Sequence, residues 1–396
     1  MTETRNENNK TVTVLGIGKA GTKIAEILST FPEAEWIKVA AADTDSSVIE
    51  ASTLKNMFPV GIEWTHGMGC GGEVIKGERA FAHFSKKQIE TFFEGSSLLI
   101  IVGGLGGGTA TGGASVLARI AKKMKIPAVF IVTTPFSFEG HSKRMISEHG
   151  IKALVQDADV VLPIPNDILY STLKSDTPAD DAFKKANSEI ARAIVGVAEI
   201  IRGKNLLSAD FSDLKSALNK RKSFCGIGLG SASSADGPNR CITACERLLE
   251  SPLLGGVDKI RNADVLFITV CGGQDMNIGE MKQALEVIHR HCTEKTKMIV
   301  GASNDPAYGD LMQITLLAIY YDLTVEKQSA GTFGPNMPKE YPLEIVGSDK
   351  PPVQGDLPLM QVSKGIFTNT SKNIISGQDL DIPTFQRMGI HIDKGK

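Results

Sequence analysis

The chain has 396 residues, 42% apolar and 22% charged, with a formal charge of −2 at neutral pH, which is the balance of a soluble globular protein of about two domains and a tail. Near-neutrality gives no general pull toward nucleic acid or an anionic membrane, so neither is expected as a partner. No apolar run approaches the roughly 20 residues of a membrane-spanning helix, and the polar residues 1–10 lack a signal-peptide core, so a cytoplasmic protein without direct membrane insertion is expected.

After the polar start, residues 11–15 predict a short buried strand. It runs into Gly16-Ile17-Gly18-Lys19-Ala20-Gly21 and then a helix with Ile24, Ile27 and Leu28 on one face. A second strand over 36–42 ends at Asp43-Thr44-Asp45. Residues 61–77 read as a glycine-rich loop with Gly67, Gly69, Gly71 and Gly72, followed by a helix. A strongly apolar strand over 97–102 opens into glycines at 103, 104, 106, 107, 108, 112 and 113, interrupted by Leu105 and by Thr109-Ala110-Thr111. Another helix follows, then a strand over 128–133, a helix from about 143, and a strand over 159–163 that ends at Ile164-Pro165-Asn166-Asp167. Strand and helix alternating through short connections predict an α/β fold with a doubly wound parallel sheet. A long helix over about 180–202 carries Phe183, Ala186, Ile190, Ile194, Val197 and Ile201 on one face.

Beyond 205, strands near 224–229, 265–271, 298–302 and 311–319 alternate with helices at 239–249 and 279–291. The expected organisation is a disordered start (1–10), a nucleotide-binding domain (11–179), a long central helix (180–204) and a smaller C-terminal α/β domain (205–325). A linker (326–362) with Pro335, Pro338, Pro342, Pro351 and Pro352 then leads to a tail (363–396). Within the tail, residues 379–387 set isolated apolar anchors among charges, as a docking peptide does, although Ile366, Phe367, Ile374 and Ile375 could instead add an edge strand. Six cysteines, at 70, 225, 241, 245, 271 and 292, follow no metal-ligand spacing, so they read as small buried hydrophobes and no metal site is expected.

Gly16-x-Gly18-x-x-Gly21 between a strand and a helix satisfies the dinucleotide fingerprint, with Asp43 where a ribose-binding acid would stand. Alone it fits a nicotinamide-dependent oxidoreductase, or a tight turn holding nothing. It is not a Walker loop, because Lys23 follows Thr22. The second loop adds backbone N–H groups free of side chains, a helix N-terminus, and the hydroxyls of Thr109 and Thr111. Two such loops at the carboxyl ends of parallel strands predict one crevice for a polyphosphate, which an oxidoreductase does not need.

Gly104-Leu105-Gly106-Gly107-Gly108-Thr109-Ala110-Thr111-Gly112 closely resembles the signature loop of the tubulin/FtsZ family, with Ala110 in place of a glycine. Pro135-Phe136-Ser137-Phe138-Glu139-Gly140, Pro165-Asn166-Asp167, Ala209-Asp210-Phe211-Ser212-Asp213-Leu214, Ser251-Pro252-Leu253-Leu254 and Asp381-Ile382-Pro383-Thr384-Phe385 resemble further family segments in the same order. The resemblance covers nearly the whole chain. It implies a tubulin/FtsZ-like fold and a GTPase that assembles head to tail with itself into filaments of the division ring.

By the same resemblance GTP or GDP, with Mg2+ carried on the phosphates, would be the cofactor. Gly18, Ala20, Gly21, Gly71, Gly72 and the run Gly106, Gly107, Gly108, Thr109, Ala110, Thr111, Gly112 would lie against the phosphates. Glu139 would bind the ribose, Lys143 or Arg144 the phosphate or sugar, and Asn166 the base; Phe183 would stack on the base, although it also continues an apolar helix face. Asp210 and Asp213 would be catalytic, entering the neighbouring subunit's site so that hydrolysis waits for assembly. Asp381, Ile382, Pro383, Phe385 and Arg387 would dock on membrane-anchor division proteins. Ser188 stands where the family places a guanine-binding Asp, with Asn187 beside it; Ser208 replaces an Asn of the catalytic loop, and Lys23 an Asn of the first loop. These departures leave open a nucleotide-binding filament protein with slow or lost hydrolysis.

Overall fold

The computed structural model describes residues 10–84, 86–171, 176–202, 211–218 and 223–321, with 374–375 and 378–379. The chain divides into two units, Met1–Phe333 and Gly334–Lys396. The first unit is built on one sheet whose strands are β1 (Val12–Ile17), β2 (Lys38–Asp43), β3 (Met57–Pro59), β4 (Leu98–Gly104), β5 (Ala128–Thr134), β6 (Val160–Pro165), β7 (Ser223–Ala232), β8 (Val265–Gly272), β9 (Lys297–Asn304) and β10 (Met312–Tyr320). Their order across the sheet is β3-β2-β1-β4-β5-β6-β7-β10-β8-β9.

From β3 to β6 all neighbours are parallel, as helical crossovers require. Strand order reverses between β1 and β4, so their carboxyl ends open a crevice at the switch point. β7 meets β6 only at Val160–Ser223 and Val161–Phe224. β10 is antiparallel to both β7 and β8, and β9 closes the edge parallel to β8. The architecture is the expected doubly wound parallel sheet, long helix and C-terminal α/β region.

Apolar residues cover both faces of the sheet. One layer holds Phe81, Phe93, Phe130 and Leu117 with the helices Gly108–Met124, Arg240–Leu249 and Ile278–His289. The other holds Ile24, Ile194, Phe267 and Leu214 with the helix Gly18–Leu28, the central helix Ala179–Glu199 and the helix Phe211–Leu218. Each large side chain buried here contributes about 1.5–3 kcal/mol relative to exposure. No helix among the described residues is long and apolar enough to cross a membrane.

Some local detail differs from the sequence reading. The short edge strand β3 carries too few residues to give a pattern, and it pairs only with the end of β2. The stretch over 61–77, expected as loop, holds helical turns at Ile62–Thr65 and Val74–Arg79, separated by positive-φ glycines at 67, 69, 71 and 72. In the second unit Ile374–Ile375 pairs antiparallel with Gln378–Asp379. The expected linker and the docking residues Asp381, Ile382, Pro383, Phe385 and Arg387 lie outside the described residues.

The central helix reaches β10 through Gly196, where an added Cβ would lie 2.2 Å from Thr315 Oγ1 and 2.5 Å from its Cγ2. Gly196→Ala should therefore lower stability by about 1–3 kcal/mol through overpacking, although alanine in an exposed helix would raise it by about 1 kcal/mol. Urea denaturation measures the sign.

Candidate nucleotide site

β1 passes directly into the helix that starts at Gly18, and β4 passes through Leu105-Gly106-Gly107 into the helix that starts at Gly108. Neither helix has a side-chain cap or an acidic residue in its first turn. The first-turn N–H groups of both are left for an outside acceptor, and their positive ends reinforce one another. The two starts meet, because a Cβ on Gly18 would stand 3.3 Å from the Ala110 Cβ. Thr44, just past β2, shares a hydrogen bond between hydroxyls with Thr109 at 2.7 Å and another with the Cys70 thiol at 3.4 Å. The ends of β1, β2 and β4 and the turn around Cys70 are thereby drawn to one place.

The glycines of the two loops divide by what faces them. A Cβ on Gly16 would lie 2.2 Å from the Gly21 carbonyl oxygen, and one on Gly21 2.3 Å from that of Val102. On Gly108 it would meet the Cys70 Cβ at 2.5 Å, and on Gly112 the Val74 carbonyl oxygen at 2.2 Å. Gly106, at φ +102, faces Pro135 at 2.6 Å. These glycines allow close packing of backbone on backbone. Gly107, Gly71 and Gly72 face nothing within 4 Å and are exposed. Ala110 is buried between Gly18 and Gly103, so the departure from the family loop is a methyl that fills a gap. Thr111 is buried too, and its Oγ1 accepts the Gly106 N–H at 3.0 Å, so it braces the loop from within.

Asp43 does not present itself to a ribose. Its Oδ1 accepts the N–H groups of Thr44 at 2.7 Å and Asp45 at 3.2 Å, and its Oδ2 is buried without a hydrogen-bond partner among the described residues. Burial pushes its pKa up to about 6, against the two N–H bonds that favour the charged form. The oxidoreductase reading loses its ribose-binding acid.

On the other side of the crevice Glu139 Oε1 accepts the Phe136 N–H at 3.0 Å, and its Oε2 pairs with Lys143 Nζ at 2.9 Å. Burial acts to raise its pKa, but Lys143 and the Phe136 amide hold it lowered. Lys143 is thus engaged with Glu139, whereas Arg144 is exposed. Asn166 begins the short helix Asn166–Ser171 at the end of β6, and Asp167 beside it accepts the Ser137 N–H at 3.1 Å. Phe183 is 49% exposed, so it does not belong to the buried face of the central helix. Its ring meets Phe136 edge-on at 6.0 Å, and Phe136 stacks on Phe138 at 4.8 Å. Asn187 and Ser188 follow one turn later, half-buried.

Asp213 lies in the first turn of the helix Phe211–Leu218 and is partly exposed, with its Oδ1 2.6 Å from Lys297 Nζ. Asp210 and Ser208 lie outside the described residues. Among the described residues no three His, Cys, Asp or Glu side chains stand close enough to hold a metal.

Residues 11–174 match the Tubulin/FtsZ family GTPase domain, and residues 224–321 match the FtsZ family C-terminal domain. The cell division protein FtsZ of Coxiella burnetii is 31% identical over 309 residues, 78% of each chain. The chain belongs to the FtsZ family. The Pseudomonas aeruginosa FtsZ is 28% identical over 391 residues, covering 95% of this chain and 96% of that one. Among solved structures, an empty FtsZ dimer from M. jannaschii superposes with a TM-score of 0.71 at 30% identity, covering 80% of this chain and 89% of its own. CetZ2 from Haloferax volcanii, a GTPgS-bound protofilament, shares the fold at a TM-score of 0.64 and 19% identity, covering 80% of this chain and 96% of its own. Membership makes this a tubulin-like protein with the GTP-binding domain of the FtsZ family.

Two features of this FtsZ-family chain escaped the sequence reading. Phe138 is 80% exposed on top of Phe136, and its position inside the Pro135–Gly140 motif was the available signal. Lys297 carried none, since it stands 84 residues from Asp213.

The glycine division is testable by thermal unfolding. Gly108→Ala should destabilise by about 1–3 kcal/mol through overpacking, whereas Gly107→Ala, with φ −99 and open space, should change stability little. Asp43 carries a second prediction. Between about pH 4 and about pH 6 its folded form keeps a proton that the unfolded chain has lost, so its contribution to stability falls as pH rises through that window. Asp43→Asn should flatten that part of the profile of urea midpoint against pH.

Proposed function

We propose that this chain is a cytoplasmic, GTP-driven filament protein of cell division that assembles head to tail with itself and hydrolyses GTP to GDP and phosphate at the subunit contacts. The observation that carries the nucleotide reading is the meeting of two uncapped helix starts at the β1 and β4 ends, with Gly107, Gly71 and Gly72 open around them. The relatives' names support the division function. The dimer and the protofilament among the structural neighbours support self-assembly.

Triphosphate oxygens would take the N–H groups of Gly18, Ala20, Gly21 and of Gly107, Gly108, Thr109 and Ala110, with the Thr109 side chain reached directly, Thr111 acting through the Gly106 turn and Gly112 allowing the close helix packing. The Phe136–Phe138–Phe183 cluster would receive the base, with Asn166 reading its edge and Glu139 the ribose. Asn187 and Ser188 would complete the base side with neutral hydrogen bonds, each contributing about 0.5–1.5 kcal/mol. The Thr44 and Thr109 hydroxyls and the Asp45 carboxylate are hard oxygen donors, the kind that suits Mg2+ arriving on the phosphates.

Hydrolysis needs a water aimed at the γ-phosphorus, and a carboxylate can orient it without bonding to phosphorus. Asp213 and Asp210 would supply this from the neighbouring subunit. Residues 11–179 would form the nucleotide domain and 205–325 the assembly domain. The 326–362 linker would tether the 379–387 peptide to a membrane-anchor protein at the division site.

Sedimentation with GTP, GDP and ATP, with phosphate release measured in the same tubes, tests the whole reading; GTP alone should give polymer and sustained release. Asp213→Asn should still pellet with GTP but release phosphate roughly 100-fold more slowly. Release at the parent rate from assembled Asp213→Asn removes that residue from the chemistry.

A further inference from the structure

Lys297 opens the edge strand β9, paired in register with Val265 of β8. Alternation along β9 turns Lys297 and Ile299 to the same face. Ile299 shares its apolar layer with Leu214 and Ala217 of the helix Phe211–Leu218. That packing sets Lys297 Nζ 2.6 Å from Asp213 Oδ1, with the two side chains 59% and 39% exposed. An ion pair this exposed adds little to folding stability, so stability gives little reason for it. Its place does. Any contact that brings Asp213 to a neighbour's γ-phosphate carries the Lys297 ammonium with it, one hydrogen-bond length from the Asp213 carboxylate.

We propose, on the reading that Asp213 acts across the subunit contact, that Lys297 is a second catalytic group acting in trans, a cation carried to the neighbouring subunit's γ-phosphate. Lysine has three N–H donors, and Asp213 uses one. The others reach the equatorial phosphate oxygens as water adds to phosphorus and the bond to the β–γ bridging oxygen breaks, leaving GDP and inorganic phosphate. Lys297 keeps its proton throughout; its contribution is charge. Once the contact excludes water, the attraction between opposite charges strengthens several-fold as the effective dielectric falls. Without this cation, Asp213 would face a polyphosphate as one more negative charge.

The test compares Lys297→Gln, Lys297→Arg and Asp213→Asn in the full chain, at matched polymer mass by pelleting. Lys297→Gln should assemble with GTP and release phosphate at least roughly tenfold more slowly at saturating GTP, as loss of a trans-acting cation implies; Lys297→Arg should recover part of that rate. GDP with aluminium fluoride, a mimic of the transferring phosphoryl group, should be retained by parent polymer and lost from Lys297→Gln polymer, with GDP retention equal in both. If Lys297→Gln does not pellet alone, it is copolymerised with parent subunits, where a rate that falls with its share of the polymer supports the proposal and an unchanged rate overturns it. Release from Lys297→Gln polymer within twofold of the parent, or faster, overturns it while Asp213→Asn is slow. A normal rate in Asp213→Asn sinks the underlying reading first.

Discussion

An amide at a helix start serves an outside anion only while no side chain caps it and no neighbouring backbone takes it. The helices Gly18–Leu28 and Gly108–Met124 meet this condition at the same point of the sheet. What holds them there is contact of backbone on backbone. Gly16 and Gly21 let the first helix fold back over β1 and against Val102 of β4, and Gly77 admits the Gly108 carbonyl oxygen to within 2.2 Å of where its Cβ would be. Gly18 adds a φ of +69, a conformation that costs any L-residue with a Cβ. A side chain at any of these positions would separate the two starts, and the field between them would weaken with distance.

Strands β4 and β5 were legible because each is an unbroken apolar run, Leu98 to Val102 and Ala128 to Val132, and such runs need no distant information. The glycines were legible as a pattern but not by purpose. Sequence does not distinguish Gly107, which faces open space, from Gly108, which faces Cys70, because the difference depends on where residues 61–79 return. Asp43 failed for the same reason. Its spacing suited a ribose-binding acid, yet the turn through Thr44 and Asp45 closes over its carboxylate. Phe183 sat in phase with Ala186 and Ile190, but at this end of the central helix the buried position is Ala182, one residue round the helix, so periodicity assigned Phe183 to a core that it does not enter.

The central helix ends in a part-buried ionic knot around the buried Glu199 carboxylate. Arg202 bonds Glu199 at 2.9 Å and Asp305 at 3.0 Å, and its guanidinium lies over the Trp36 ring at 5.2 Å. Burial raises the Glu199 pKa, with Arg202 opposing. A buried pair of this kind adds little net stability, but removing one partner leaves an unpaired charge and costs roughly 3–5 kcal/mol. The knot therefore ties elements from both halves of the sheet, the helix Pro32–Ala34 region beside Trp36 and the turn after β9, to one helix end. The chain leaves Arg202 and re-enters described structure at Phe211, where Leu214, Ala217 and Leu218 are buried. The described structure on either side, at Arg202 and from Leu214 to Leu218, is held by interactions that are expensive to break.

Those anchors bear on the charge problem at a hydrolytic contact. A carboxylate that positions water must approach a polyphosphate, and the repulsion grows as solvent leaves. A flexible loop would relieve this by turning its acids away. Asp213 is denied that freedom, since its helix is packed into the sheet and its carboxylate is held by Lys297 on the adjacent strand. Pairing makes the approaching group neutral overall while keeping the acid in place. On the proposed function, rigid anchoring and local neutralisation would be two parts of one requirement: a subunit that brings an acid to its neighbour's phosphates has to avoid being driven off by them.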